Sequence, residues 1–362
     1  MMRSSSIFSK YLGDEAMLSI VSDDALIRRM LQFEMALATA QAKFDMIPKE
    51  AAKEINQELK QIKISPEDLA EGTLKNGVPV LSLLSIARER LSSVSKTHLH
   101  FGATSQDVMD TAQVLIIRDA VALIEERLQV LVQHLQQLID EHGAVPCMSR
   151  TRGQLAIPVT FGVKINAWLL PLQRQVERLN EIKKRIFVVQ LGGAAGTLSD
   201  YDNKGNLLME AVAHELGLQS SPPWHTQRDN FCEFTNWLAM LTGISGKMGA
   251  DILVMAQSEI NEVVENTDGG KSSAMPHKNN PVLSEALVAL ATINANLQSQ
   301  QLQSLVHVNE RDATAWILEW DAIPQMIINT GAALNHAITI AANMKVNTAN
   351  MKKNVERFLY KE

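Results

Sequence analysis

Apolar residues recur along the middle of the chain at alternating spacings of three and four. They form one continuous series: Val114, Ile117, Val121, Ile124, Leu128, Leu131, Leu135 and Leu138. A sustained heptad series of this kind predicts one long helix packed in a bundle. Asp110 or Thr111 could cap the start of this helix, and Gly143 with Pro146 ends it.

Four further helical segments follow the heptad helix. They cover residues from about 159 to 182, 228 to 264, 282 to 306 and 313 to 344. Each is much longer than the globular average of about 11 to 12 residues. Strand signals are nearly absent, and residues 186–189 form the only β-branched run of note. The pattern therefore predicts an all-α protein built on a bundle of five long helices.

The first hundred residues are organised differently. Their helical segments are shorter and are separated by glycines and prolines, namely Gly13, Pro48, Pro66, Gly72 and Pro79. We therefore predict a small α-helical N-terminal domain over residues 1–103. The central domain of long helices would then cover residues 104–345.

Composition narrows the function classes. The 362 residues have a formal net charge of -6 and a pI near 5.9, which argues against a nucleic-acid partner. No uninterrupted run of about 20 apolar residues occurs, so no membrane span is expected. Cys147 and Cys232 lie far apart and suggest neither a disulfide framework nor a metal site. We expect a protein of the reducing cytoplasm.

The segment 269–285 has a chemistry that an ordinary linker does not need. Between two apolar helical segments it holds Ser272, Ser273, Lys278 and Asn280 in a frame of glycines and prolines. Hydroxyl, ammonium and amide groups in one loop suit the binding of a carboxylate. A purely structural role is the less favoured interpretation.

Two earlier loops also hold polar side chains. The loop 98–107 carries His100, Thr104 and Ser105 directly before the heptad helix. These residues suit either a helix cap, which is the favoured role for Asp107, or an anion site at a helix N-terminus. The loop 149–160, with Arg152 and Gln154, is either a solvated corner or a binding loop.

Two more clusters precede the third and fifth long helices. His225 and Arg228 follow Pro222 and Pro223, and a functional role is slightly favoured over a helix-start cap with a packed aromatic. Arg311 could bind a substrate carboxylate through two parallel N–H bonds, or pair with an acidic neighbour on the surface.

Together these loops carry a family resemblance. The segment 272–285 resembles the signature loop of the fumarase/aspartase superfamily at Ser272, Ser273, Met275, Pro276, Lys278, Asn280, Pro281 and Glu285. Residues 104–107 resemble the superfamily's Thr-Ser-x-Asp segment, and residues 151–160 resemble its Thr-x-x-Gln-x-Ala-x-Pro-x-Thr segment. Within the superfamily, residues 100–111, 192–194 and 223–229 look most like the 3-carboxy-cis,cis-muconate cycloisomerase family.

The resemblance implies an architecture. Members have a small N-terminal domain, a central domain of five long helices and a small C-terminal domain. They assemble as homotetramers whose active sites are shared between subunits, so we expect a homotetramer here. Because the chain ends at Glu362, soon after the fifth helix, the C-terminal domain is expected to be missing, with residues 346–362 as its remnant.

The resemblance also implies a chemistry. Members move a proton at a carbon beside a carboxylate, and the resulting enediolate-like dianion needs nearby cations and N–H donors. The catalytic residues would be Ser272 as base, Lys278 as stabiliser and His100 as general acid, with His225 a second candidate for the acid. The substrate-binding residues would be Thr104, Ser105, Arg152, Gln154, His225, Arg228, Ser273, Met275, Asn280 and Arg311.

The implied activity is the interconversion of 3-carboxy-cis,cis-muconate, a small polycarboxylate, and 4-carboxymuconolactone without a metal or cofactor. Two positions depart from the superfamily pattern. Arg152 stands where many members have His, which weighs toward the cycloisomerase branch, and Lys271 stands where the family has Gly. Lys271 would be strained if a positive φ were needed there. The alternatives are adenylosuccinate lyase or another fumarate-releasing lyase, and a catalytically impaired structural homologue.

Overall fold

The structure is a computed structural model that describes residues 7–265 and 267–359. Helices dominate it, in the order α1 Ser9–Leu12, α2 Glu15–Ile20, α3 Asp23–Lys43, α4 Lys49–Gln61, α5 Pro66–Asn76, α6 Val80–Glu89, α7 Ser105–His142, α8 Phe161–Ile186, α9 Gly205–Leu216, α10 Asp229–Met255, α11 Val282–Gln303, α12 Ala313–Asn343 and α13 Thr348–Leu359. The strands of the described residues are β1 Pro146–Thr151, β2 Gln154–Thr160, β3 Val263–Val264 and β4 Lys345–Val346. The all-α prediction is confirmed.

The five predicted long helices are α7, α8, α10, α11 and α12, and they pack side by side. The whole heptad series from Val114 to Leu138 is buried in their core. Helices α10 and α11 approach closely, because a Cβ at Gly249 would lie 2.6 Å from the carbonyl oxygen of Ser284. The small residues of α10 therefore serve packing.

Two helix boundaries differ from the prediction. Helix α7 begins at Ser105, because Thr104 is its N-cap and Asp107 completes a capping box. The predicted caps Asp110 and Thr111 are instead buried one turn further along the helix. Helix α10 ends at Met255, well before the predicted end, and β3 follows it.

The β1–β2 hairpin was not predicted as such, since residues 149–160 had been interpreted as a loop before a helix. The strands pair antiparallel from Pro146 with Thr160 to Thr151 with Gln154. Arg152 and Gly153 form the two-residue turn with φ of 52° and 80°. A turn with positive φ at both positions matches the twist of a hairpin, but arginine is an uncommon first residue for it. The β-branched run at 186–189 forms one bridge, between Val188 and Gln219.

The long helices place the polar loops at two opposite ends of the bundle. At one end of the bundle, which we call the His100 end, α7 and α12 begin and α8 and α11 finish. The loops 98–107, 223–228 and 307–312 lie at this end. At the opposite end, which we call the Ser272 end, α7 and α10 finish and α11 begins. The hairpin 146–160 and the loop 267–281 lie at this end. Each long helix thus connects one end to the other.

The N-terminal helices build a second core beside the bundle. This core contains Phe33, Leu37 and Ile55, but also Leu208 and Val212 of α9 from the middle of the chain. A segment outside residues 1–103 therefore completes the packing of the N-terminal region. The predicted domain bounds stay a prediction.

The last described residues fold back onto the Ser272 end. Strand β4 pairs with β3, and α13 packs against β1. Asn354 of α13 donates hydrogen bonds to the carbonyl of Ile260 and the carboxylate of Glu262.

By length and composition α10 could cross a membrane, yet half of its most apolar window is buried in the bundle. Cys147 and Cys232 are buried and unbridged, and the cytoplasmic location stays a prediction.

Candidate active site

His100 lies in the loop before α7 and is held by Glu34 of α3. The distance from its Nδ1 to the Glu34 Oε1 is 2.6 Å, and the Glu34 side chain is completely buried. Burial lowers the pKa of His100, but the charge and hydrogen bond of Glu34, together with the charge of Asp107, outweigh it, so the pKa of His100 is raised. Because Nδ1 is engaged by Glu34, Nε2 is the nitrogen left for a substrate.

The backbone around His100 is firmly anchored. His100 itself has a φ of 68°, a left-handed conformation that non-glycine residues rarely adopt. Gln41 and Tyr201 both donate hydrogen bonds to the carbonyl of Phe101, at 2.7 and 3.0 Å. A Cβ at Gly102 would lie 2.5 Å from the Tyr201 ring, so glycine is required there. These contacts hold the imidazole in one place.

Three predicted residues meet at the N-terminus of α7. Arg311 donates a hydrogen bond to the Thr104 hydroxyl at 2.6 Å, and Ser105 is the first, half-buried residue of the helix. Asp107 accepts from the Thr104 N–H at 3.0 Å, which confirms the cap interpretation. A helix N-terminus with an adjacent guanidinium favours a bound carboxylate.

His225 is buried behind this helix start. It is 4% exposed, and its Nε2 lies 2.8 Å from the Asp107 Oδ1. The Asp107 carboxylate also accepts from the N–H groups of Gly192 and Gly193 at 2.9 and 3.0 Å. A Cβ at Gly192 would lie 2.7 Å from the His225 ring. Of the two candidate acids, the geometry therefore favours His100.

Arg228 is fully enclosed between two carboxylates. It donates to Asp110 at 2.7 and 2.9 Å and to Glu319 at 2.9 and 2.5 Å. The rings of Trp224 and Phe231 cover the guanidinium at 5.0 and 4.8 Å. No nitrogen is left for a substrate carboxylate, so the geometry disagrees with the predicted substrate-binding role. Arg228 instead ties α7, α10 and α12 together.

At the other end of the bundle, the loop before α11 is closed at its base. The Asn280 N–H donates to the Gly270 carbonyl at 2.7 Å, and Lys271 forms a bridge with Asn279. Gly270 has a φ of 79°, and a Cβ on it would lie 2.2 Å from the Asn280 oxygen. Lys271 is not among the described residues with positive φ. The position that requires glycine is thus Gly270, one residue before Lys271. Lys271 therefore does not have the backbone strain that a positive φ would cause.

The tip of this loop surrounds the Ser272 hydroxyl with donors. Its Oγ accepts from the Ala274 N–H at 3.3 Å and from the Met275 N–H at 3.1 Å. Two backbone donors on one oxygen are the arrangement that stabilises an oxyanion. The half-buried Ser272 is therefore the hydroxyl of this loop best placed to act as a base.

The remaining predicted residues of this end face solvent. Most are exposed on the loop or at the hairpin tip, and Asn280 is half-buried; the set is Arg152, Gln154, Ser273, Met275, Lys278 and Asn280. Neither Lys271 nor Lys278 forms an ion pair with any residue in the described ranges. The loop thus presents uncompensated positive charge beside Ser272.

A single chain keeps the two groups of residues apart. Helix α10 has 27 residues and spans the bundle from the His100 end to the Ser272 end, a length of about 40 Å at about 1.5 Å per residue. The loop tip from Ser272 to Lys278 can reach only about 12 Å from its closed base. Ser272 and His100 of one chain therefore cannot contact the same small substrate.

Comparisons with known proteins agree with the fold and the loops. A family model described as Lyase matches residues 6–294. The chain belongs to this lyase family of the fumarase/aspartase superfamily. The resemblance inferred from the loops is thereby confirmed.

Proteins related to this chain are named for more than one activity. The 3-carboxy-cis,cis-muconate cycloisomerase of Acinetobacter baylyi is 36% identical over 360 residues, which cover 97% of this chain and 80% of that protein. The adenylosuccinate lyase of Methanocaldococcus jannaschii is 34% identical over 349 residues, or 95% of this chain and 76% of that protein. Because these two sequence identities are so similar, they do not show which of the two reactions this chain catalyses.

A solved structure extends the likeness to the whole fold. The crystal structure of 3-carboxy-cis,cis-muconate lactonizing enzyme from Pseudomonas putida matches this lyase with a TM-score of 0.92 at 35% identity. The match covers 97% of this chain and 80% of that chain.

Sequence reasoning missed two ionisable residues of the His100 end. Glu34 was the one charged residue in the apolar run from Phe33 to Ala38, a signal for a buried and partnered carboxylate. Both ring nitrogens of His307 are buried and make no hydrogen bond with the residues that the structure describes. Burial, with the Arg228 charge, lowers the pKa of His307. Nothing in its sequence context indicates this.

No group of His, Cys, Asp and Glu side chains within residues 7–265 and 267–359 is arranged to hold a metal ion. The expectation of a reaction without metal or cofactor stays a prediction.

Proposed function

We propose that this lyase is a 3-carboxy-cis,cis-muconate cycloisomerase, which interconverts 3-carboxy-cis,cis-muconate and 4-carboxymuconolactone without a cofactor. The observation that carries the proposal is the Ser272 hydroxyl, which faces two backbone donors in a loop whose Lys271 and Lys278 form no ion pair with any described residue. Relatives and a solved structure named for this reaction, at 36% and 35% identity, support the choice of substrate.

Ser272 acts as the base in the direction that opens the lactone. Its oxyanion, stabilised by the N–H groups of Ala274 and Met275, takes a proton from the carbon beside a carboxylate. The ring C–O bond then breaks, and its electron pair leaves on the released carboxylate. In the opposite direction the C–O bond forms and the Ser272 O–H returns the proton. Lys278 and Asn280 stabilise the enediolate-like charge between these steps.

His100 binds the substrate carboxylate that is released when the lactone opens and that attacks when the lactone forms. Its raised pKa keeps the imidazole protonated to higher pH, so Nε2 donates to a carboxylate oxygen. Thr104, Ser105 and Arg311 bind another substrate carboxylate at the N-terminus of α7. A substrate with several carboxylates uses all of these positions.

Each active site is shared between subunits of a homotetramer. Helix α10, about 40 Å long, separates the end that holds Ser272 from the end that holds His100 within one chain, which supports this assembly. The exposed hairpin, with Arg152 and Gln154 at its tip, reaches a site of a neighbouring subunit in the same way.

Exposed apolar side chains near both ends of the bundle also support assembly. Several large apolar side chains are at least half exposed in the single chain, namely Ile157 of β2, Val163 of α8, Leu302 of α11, and Val306 and Val308 after α11. Exposed apolar residues of this size are often covered at a protein–protein interface. Neighbouring chains of the proposed tetramer would cover them.

The runner-up activity, adenylosuccinate lyase, needs a site for a nucleotide phosphate. A cavity of about 420 Å³ at the His100 end is large enough for part of a nucleotide, but its lining has three acidic residues, Asp23, Asp110 and Glu319, and no Lys, Arg or His. Such a lining repels a phosphate. This cavity therefore offers no phosphate site, and the two substrates in the test below separate the two activities.

The test follows ultraviolet absorbance while purified protein is offered 3-carboxy-cis,cis-muconate or adenylosuccinate separately. We expect turnover of the first substrate only. Ser272→Ala should lower kcat by about 1000-fold, the scale of a lost general base. Ser273→Ala is the matched control, and its loss should be much smaller, because the exposed Ser273 hydroxyl has no donors of its own within the described residues.

Turnover of adenylosuccinate alone would overturn the proposed function. Turnover of neither substrate would favour a catalytically impaired homologue. Equal losses in Ser272→Ala and Ser273→Ala would remove Ser272 as the base.

A further inference from the structure

A cavity of about 420 Å³ lies between the N-terminal helices and the bundle. Helices α3 and α5 form one wall, and α7 and α12 form the other, with mostly apolar side chains such as Ile27, Met30 and Leu69. None of His100, Ser272 or their predicted partners lines it. The volume lies within the range of about 300 to 1,000 Å³ that is usual for small-molecule sites.

The polar part of this cavity carries excess negative charge. Asp110 and Glu319 line it, and both are bound to the one guanidinium of Arg228. Two carboxylates on one cation leave a net charge of about minus one inside the protein when both are ionised. Burial raises the pKa of Glu319, and the nearby Asp110 carboxylate adds to this rise. Asp23 adds a further carboxylate at the exposed rim.

An aromatic pair faces the same space. Trp316 and Trp320 line the cavity in an edge-to-face contact, with ring centroids 4.8 Å apart and planes at 71°. The Trp316 Nε1 is occupied by Asp110 at 2.9 Å, so the Trp316 indole offers the cavity its ring rather than its donor. Indole faces bind organic cations, most strongly where water is excluded.

One hydrogen-bond donor in the wall has no partner. The Nε2 of Gln113 is buried and makes no hydrogen bond with any residue in the described ranges. A buried donor without a partner is costly, and an acceptor atom on a ligand would satisfy it. The cavity therefore combines surplus negative charge, aromatic faces and one unused donor.

We propose that this cavity is a second ligand site, which binds a small organic cation with an aromatic body and a hydrogen-bond acceptor. The ammonium group lies toward Asp110 and Glu319, the body lies against Trp316 and Trp320, and the acceptor takes the Gln113 Nε2. Carboxylate ligands, including the substrate proposed for the active site, are repelled by the same charges. The inference does not depend on the proposed function.

The test uses matched small molecules and isothermal titration calorimetry at neutral pH. Tyramine has the ammonium group, the ring and a hydroxyl acceptor. The anion 3-(4-hydroxyphenyl)propionate keeps the ring and hydroxyl but reverses the charge, and 2-phenylethylamine lacks the hydroxyl. We expect tyramine to bind at least about tenfold more tightly than the anion, and about fivefold more tightly than 2-phenylethylamine.

Two variants of α5 locate the binding. Ala70→Trp places an indole at the mouth of the cavity from an exposed position, so it should weaken tyramine binding by about tenfold or more. Leu74→Trp changes an exposed residue of the same helix that does not line the cavity, and it should leave the affinity unchanged. Gln113→Leu should remove the advantage of tyramine over 2-phenylethylamine.

Three results would overturn the proposal. The first is no binding of either amine at millimolar concentration. The second is equal or tighter binding of the anion. The third is tyramine binding that Ala70→Trp leaves unchanged, which would place the amine elsewhere on the protein.

Discussion

The pairing of Glu34 with His100 sets the protonation of the proposed acid. The Glu34 carboxylate raises the pKa of His100, so in Glu34→Gln this pKa falls and the protonated imidazole is lost at lower pH. The alkaline limb of kcat/KM should therefore shift to lower pH. Loss of a hydrogen bond to a charged group should also reduce kcat by about 10- to 100-fold. Steady-state kinetics over a range of pH measure both effects.

Glu54→Gln is the matched control for this prediction. Glu54 also holds a segment before α7, through Ser92 and Ser95, but it does not contact His100. Its variant should keep the wild-type pH profile. A Glu34→Gln enzyme with an unshifted alkaline limb would show that His100 does not act through its proton.

Gly270 and Gly269 are adjacent glycines with different conformational requirements. Gly270→Ala combines a φ of 79° with a Cβ 2.2 Å from the Asn280 oxygen, so it should open the base of the Ser272 loop. We expect activity to fall by about 100-fold, since left-handed strain alone costs about 1 to 3 kcal/mol. Thermal unfolding should change little, because this loop lies outside the core.

Gly269→Ala is the control, since its Cβ would meet only ordinary contacts at 3.7 Å. It should retain most of the activity. Lys271→Gly, which restores the family residue, should also fold normally, because Lys271 adopts no left-handed conformation. Equal losses of activity in Gly269→Ala and Gly270→Ala would contradict the close approach of position 270 to the Asn280 oxygen.

At the scale of the elements, Arg228 joins three long helices. Arg228→Met leaves Asp110 and Glu319 facing each other without their buried cation. We expect a loss of about 3 to 5 kcal/mol in the free energy of unfolding. Arg185→Met removes an exposed pair with Glu233 and should cost less than about 1 kcal/mol. Urea unfolding at one protein concentration compares the two variants, and equal losses would refute the structural role.

The helices themselves could be predicted because their signal is local. The heptad series from Val114 to Leu138 repeats within one helix, and every member is buried as expected. The start of α7 was less predictable, since Thr104, Asp107, Asp110 and Thr111 are all capable caps. The contacts of Asp110 with Arg228 and of Thr111 with Gln190 exclude these two from the cap. The hairpin was missed because its turn places an arginine at positive φ.

At the scale of the whole molecule, the separated ends predict complementation between inactive variants. In the proposed homotetramer, Ser272→Ala and His100→Ala each remove one part of every site. If each site takes Ser272 and His100 from different chains, mixed tetramers regain native sites with about a quarter of the wild-type activity. The two variants are denatured, mixed and refolded together, and activity is measured against each variant refolded alone.

Ser272→Ala mixed with Lys278→Ala is the control. These residues lie on one loop of the same chain, so each mixed site keeps one defect and activity should stay low. Full-length single chains with activity at high dilution would contradict the shared site. The state of assembly is checked by sedimentation in the same buffers.

The sequence by itself determined the bundle, the loops and the family of this chain, because apolar periodicity and the residues of a short loop are both encoded over a few neighbouring positions. Only the tertiary structure decided the contacts that the residues of those loops make. It buried Arg228 between Asp110 and Glu319, and it placed Glu34 on His100 from 66 positions away. Such contacts depend on how distant helices pack, and no local pattern encodes the distance between the two ends of the bundle.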